Sequence, residues 1–171
     1  MPSSEPASAS LGSATLDRLA WTRQFAEGLI RGVPQEHATA RAAGKGNHTA
    51  WVAGHIAVTD DLLISAVTGE PGVLPESFQS MFGGGSEPLD DPAAYPTLEE
   101  LLAAMTQARE RVNAWVAGLS PNDYVTAMPD NMLPFAPDYG TLGFALAAHE
   151  MCHAGQVATC KAAIGLPRMF S

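Results

Sequence analysis

Residues 141–160 read Thr141-Leu-Gly-Phe-Ala-Leu146-Ala-Ala-His149-Glu-Met-Cys-His153-Ala-Gly-Gln156-Val-Ala-Thr-Cys160. Leu142, Leu146, His149, His153, Gln156 and Cys160 recur at alternating steps of four and three, the pattern of a helix with one inward seam. The helix is expected to begin after Gly140-Thr141 and to stop at Gly165 and Pro167. Side chains four apart on a helix have Cβ atoms about 5–6 Å apart, so both imidazoles of the His149/His153 pair can reach one point about 2.0–2.1 Å from each ring nitrogen. A third histidine, His55 in Trp51-Val-Ala-Gly-His55-Ile, lies far upstream on another apolar helical pattern. Three such ligands make a divalent-metal site that leaves a position for water or substrate.

Three further helices read outward from this seam. One runs from about Ser13 to Arg31 with Leu16, Leu19, Ala20, Phe25 and Leu29 as its apolar stripe, stopping before Pro34. The next starts near Asn47 as N-cap, carries Trp51, His55, Val58, Leu62 and Ala66, and ends at Gly69-Glu-Pro71-Gly. The third opens on Thr97-Leu-Glu-Glu100, a capping-box pattern, and continues through Leu101, Met105, Ala108, Val112 and Trp115 to Gly118. No stretch alternates with period two, and no repeat is visible. Two long connections, Glu70 to Pro96 and Ser120 to Gly140, suit a bundle whose links cross its end or cover a site. The expected fold is all-α, a four-helix bundle with long crossover connections. Residues 1–12 are expected to be a flexible Ser/Ala/Pro arm and 13–171 a single domain.

The charge balance excludes some partners. Nine Lys and Arg against 18 Asp and Glu give −9, and no basic cluster is interleaved with aromatics, so nucleic acid is not expected. Apolar runs are broken short of the roughly 20 residues of a membrane span, and no basic amphipathic helix invites a lipid surface. Cys152 and Cys160 are eight residues apart on one helix, about 12 Å, beyond the ~7 Å reach of a disulfide. Free thiols, with no secretory pattern at the N-terminus, point to the cytoplasm.

A single seam histidine is usually a hydrogen-bonded core residue. Burying three without partners leaves three polar rings to satisfy, a cost that a shared ion removes. His149-Glu150-Met-Cys-His153 also matches the short zinc-protease expression, with Glu150 as candidate base; no His, Asp or Glu follows His153, so hydrolysis ranks behind the other readings. Thr59, Cys152 and Gln156 are the possible site-lining residues. Each has a plainer alternative: helix packing for Thr59, a small core thiol for Cys152, an interhelical hydrogen bond for Gln156. Asp60 and Asp61 are rotated off the seam toward solvent, with support of a ligand as the alternative. His37 and His48 read as surface residues.

Asn47-His-Thr-Ala-Trp51-Val-Ala-Gly-His55-Ile, His149-Glu-Met-Cys-His153-Ala-Gly155-Gln156 and the Ile164-Gly-Leu-Pro-Arg168 that follows resemble the DinB-like superfamily of metal-binding four-helix bundles. Members typically carry Trp-x-x-x-His in the second helix and His-x-x-x-His-x-Gly-Gln in the last. The resemblance covers nearly all of the chain after residue 13, including the Leu119-Ser120-Pro121 turn. It implies that His55, His149 and His153 converge on one divalent ion, zinc or nickel, at the end of a cavity. It also implies kinship with thiol S-transferases that use bacillithiol or mycothiol, and with a mycothiol-dependent maleylpyruvate isomerase. Two readings follow: a metal-dependent enzyme transferring a low-molecular-weight thiol to a small molecule, and a non-catalytic metal-binding stress or accessory module. A homodimer is expected in either case.

Overall fold

A computed structural model describes residues 7–132 and 134–167. Five α-helices carry it: α1 (Ala7–Arg31), α2 (Thr49–Thr68), α3 (Glu76–Phe82), α4 (Leu98–Gly118) and α5 (Tyr139–Ala163). Short 3-10 turns punctuate the links, and the described residues contain no strand beyond one isolated bridge between Ala127 and Asp138. The fold is all-α.

Local chemistry sets the helix ends. Thr97 and Glu100 form both halves of the capping box at the start of α4. Asp138 caps α5 by accepting from the Thr141 amide. Gly69 ends α2 at φ 74°, a left-handed conformation that glycine adopts without a Cβ clash. The first helix begins at Ala7 rather than near Ser13: no proline interrupts it, and its weakest helix former in that stretch, Gly12, sits where a Cβ would crowd the Tyr124 hydroxyl. Residues 1–6 of the expected arm, and Arg168, lie outside the described residues.

The four long helices assemble as two pairs, α2 chiefly against α4 and α5 chiefly against α1. Two separate apolar clusters fill the interior. One gathers Ile30, Val52, Ile56, Phe82, Leu101, Met105 and Val157; the other gathers Leu19, Ile64, Val112, Val116, Leu142 and Leu146. Along α1, α2 and α5 a buried charged residue, Arg23, Asp60 or Glu150, falls in sequence between the residues of the two clusters. α2 is the one helix among the described residues long and apolar enough to cross a membrane, and most of it is buried inside the bundle.

Several sequence expectations are corrected. Asp60 and Asp61 do not face solvent: they are 1% and 7% exposed because arginines of other helices meet them, Arg23 and Arg109 at Asp60, Arg111 at Asp61. Asp61 also accepts from the Val73 and Leu74 amides and so pins the start of the long connection. His48, not Asn47, caps α2, and it is buried: its Nδ1 accepts from the Trp51 amide while Nε2 bonds to the Leu89 carbonyl. Leu62 lies outside, not on the seam.

The connection after α2 is not a plain crossover. It contains α3, whose Phe78, Met81 and Phe82 fall at i, i+3 and i+4 and pack on the core. A Cβ on Gly54 would collide with the Phe82 ring, so this glycine is what lets α3 lie against α2.

Candidate metal centre

Two of the three histidines are oriented through their Nδ1 atoms and the third by ring packing. His55 stacks on the Trp51 indole one turn before it, ring centroids 4.5 Å apart and planes 12° apart. Trp51 is in turn held by its indole N–H donating to Ser86 Oγ at 2.9 Å. His55 Nδ1 donates to the Phe82 carbonyl at 2.7 Å, which puts the proton on Nδ1 and leaves the Nε2 lone pair free. His153 is oriented in the same way by Gln156, whose Oε1 accepts from Nδ1 at 3.0 Å. That oxygen also accepts from Asn47 Nδ2 at 3.1 Å, tying the end of α5 to the start of α2. His149 completes a triangle of rings with centroids 4.5–5.1 Å apart, with Phe135 edge-on to its ring at 5.7 Å.

The result is convergence of three Nε2 atoms. His149 Nε2 is 3.2 Å from that of His55 and 3.1 Å from that of His153, and the three ligand atoms all lie within 4.8 Å of one another. Bonds of 2.0–2.1 Å at a tetrahedral angle place ligand nitrogens about 3.3 Å apart, so these separations fit a shared ion. Two imidazoles with protons committed to Phe82 and Gln156 aim bare lone pairs at the middle of the group, an arrangement that repels itself unless a cation or proton occupies the centre. The group could therefore hold a metal ion.

Electrostatics agree with a neutral, ligand-ready triad. Burial lowers all three imidazole pKa values. His149 is pushed down to about 4, by desolvation first and then by its two histidine neighbours, with Asp60 opposing. Neutral imidazole is the form that binds metal.

The site-lining candidates separate. Gln156 touches both His153 and Asn47, so the interhelical bond and the positioning of a ligand are the same interaction. Cys152 is exposed and is not part of the close ligand group; Cys160 is buried, and both are free thiols. Thr59 is half-buried one turn beyond His55. Glu150 is turned about 100° round the helix from His149 and meets α1 and α4 rather than the histidine group. It is fully buried, bound by Arg23 at 2.6 Å, Arg109 at 3.2 Å and the Thr22 hydroxyl at 2.8 Å. A carboxylate so held is not free to take a proton from water, and the zinc-protease assignment of Glu150 fails on geometry.

Sequence reasoning missed the Phe82 carbonyl. Its one signal was Gly54, the glycine immediately before His55. Gly54→Ala is expected to push α3 away, break the His55–Phe82 bond and destabilise the fold by about 1–3 kcal/mol through overpacking. Metal affinity should fall about tenfold or more with loss of that orienting bond. Urea unfolding and metal titration check the two effects separately.

No curated protein matches the chain. In solved structures it is similar to the crystal structure of a conserved protein from Enterococcus faecalis, with a TM-score of 0.68 and 15% identity over 90% of this chain and 96% of that one. At that identity the likeness concerns the fold. The DinB superfamily sequence profile matches residues 18–157, a span that takes in Trp51, all three converging histidines and Gln156. With the bundle, the histidine group and this match in agreement, the chain belongs to the DinB superfamily.

Proposed function

We propose that the protein is a metal-dependent enzyme acting on a small molecule, holding one divalent ion, zinc or nickel, on His55, His149 and His153. The reaction we assign is transfer from a low-molecular-weight thiol. The observation that carries this reading is the three-fold convergence of Nε2 atoms with no fourth His, Cys, Asp or Glu in the group among the described residues. Such a centre keeps a position for an outside ligand. When bound, the ion supplies Lewis acidity that favours thiolate over thiol at neutral pH. The chain's own residues orient and shield: Phe82 and Gln156 hold two imidazoles in one tautomer, and Trp51 and Phe135 wall two of the rings with apolar surface.

Cobalt-substituted protein carrying Cys152→Ala, which removes a competing sulfur, should develop a thiolate-to-metal charge-transfer band when a small thiol is added. The band should strengthen as pH rises toward the thiol's range. Absence of any spectral response to thiols or small anions would replace the enzymatic reading with the non-catalytic metal-binding module. We place the protein in the cytoplasm as a homodimer. Exposed Trp21 on α1 and Phe144 on α5, two helices packed together, give it apolar surface to share. Sedimentation at tens of micromolar is expected to show the dimer, and a monomer there contradicts it.

A further inference from the structure

We infer that the buried square of Arg23, Asp60, Arg109 and Glu150 is a positioning device for the histidine centre, locking α2 against α5 and so setting the spacing of the ligand nitrogens. The inference rests on reading the three histidines as metal ligands. Those ligands come from helices that are not each other's main partners. His55 belongs to the α2·α4 half of the bundle, His149 and His153 to the α1·α5 half. Something has to hold the halves in register at the level of the site.

The square spans that seam. The α2·α4 half supplies Asp60 and Arg109, and the α1·α5 half supplies Arg23 and Glu150. Each arginine reaches both carboxylates. Arg23 bonds Glu150 at 2.6 Å within its half and Asp60 at 2.9 Å across the seam. Arg109 bonds Asp60 at 2.7 Å within its half and Glu150 at 3.2 Å across. Both guanidinium groups also donate to a backbone carbonyl of the opposite half, Arg23 to Met105 and Arg109 to Leu19. The carboxylates lie beside the ligands in sequence: Glu150 follows His149 directly, and Asp60 is five residues after His55.

Stability alone does not account for this arrangement. Desolvating four charges costs more than burying apolar side chains of the same size, and apolar replacement of buried ion-pair groups is often neutral or stabilising. Forked, directional bonds do something apolar contacts do not: they admit one register between the two halves. A metal centre assembled across that seam needs a fixed register.

The test uses the full chain with all four groups made apolar, Arg23→Met, Asp60→Leu, Arg109→Met and Glu150→Met, compared with wild type by zinc titration and cobalt absorption. The Thr22 hydroxyl keeps its bond to the Leu19 carbonyl in this variant, so no polar group is newly stranded there. The expected result is wild-type helicity with metal affinity weakened at least tenfold and an altered cobalt ligand-field spectrum. A folded variant with wild-type affinity and spectrum overturns the inference. Wild-type protein that takes up no metal overturns the metal reading and the inference together, which separates the two failures.

Should the fourfold variant not fold, Arg109→Lys keeps the charge but lacks the fork, and Val116→Ala, a buried apolar position about two turns beyond Arg109 on α4, serves as a structural control. Arg109→Lys is expected to weaken metal binding at least threefold while Val116→Ala leaves it unchanged. Equal effects of the two, or none for Arg109→Lys, overturn the inference.

Discussion

Replacing His149 with alanine should reduce bound divalent metal by an order of magnitude or more, the largest loss expected from any single ligand. His149 is the shared neighbour: its Nε2 lies within hydrogen-bond distance of the Nε2 atoms of both His55 and His153, at 3.2 and 3.1 Å. Removing it leaves one imidazole on α2 and one on α5, with no further His, Cys, Asp or Glu in the group among the described residues to take its place. The same substitution has a second signature in metal-free protein. His149 has a folded-state pKa of about 4 against an unfolded value of about 6.5, so between those values the unfolded chain binds more protons. Stability contributed by the neutral ring is therefore present above about pH 6.5 and is lost as pH falls toward 4. Metal-free wild type should lose stability over that window, and metal-free His149→Ala should lose less of it, with His55 and His153 supplying the remainder. Elemental analysis and urea unfolding at pH 7 and pH 5 check both effects.

Glu150→Ala should be the most damaging substitution for the fold itself. Glu150 is fully buried and accepts from two arginines and Thr22. Its removal leaves Arg23 and Arg109, both nearly inaccessible, facing the single charge of Asp60. Breaking a buried ionic network from one side costs about 3–5 kcal/mol, a large part of the roughly 5–15 kcal/mol that holds a domain of this size together. The variant should unfold at much lower denaturant or fail to accumulate. A loss below about 1 kcal/mol would show that the square relaxes or hydrates, contrary to its burial here.

The helices and the His149/His153 pair were legible because each rests on short-range pattern, whereas the approach of His55 to them depends on how α2 and α5 pack. The alternating four and three steps through Leu142, Leu146, His149 and His153 fix both a helix and a face. Thr97 with Glu100 fixes a helix start, and both capping bonds are present. Trp51 one turn before His55 proved to be a stacking partner, which its spacing already allowed. What escaped depends on distant partners. Asp60 and Glu150 look like ordinary charged positions until Arg23 and Arg109, separated from them by tens of residues, are brought opposite them. α3 escaped because it spans only Glu76–Phe82, so that its single i, i+3, i+4 set is lost within a connection rich in proline and glycine, and it owes its place to the missing Cβ of Gly54. His48 escaped because its partners, the Trp51 amide and the Leu89 carbonyl, are backbone groups that no side-chain pattern announces.

Crystals of the protein loaded with one equivalent of zinc, measured above and below the zinc absorption edge, address the histidine centre most directly. One anomalous peak should appear about 2.0–2.1 Å from Nε2 of each of His55, His149 and His153. At least one further coordination position should be filled by a non-protein atom. A peak bound through other atoms, a fourth protein ligand closing the site, or no peak among these three rings at full zinc loading would contradict an open three-histidine centre.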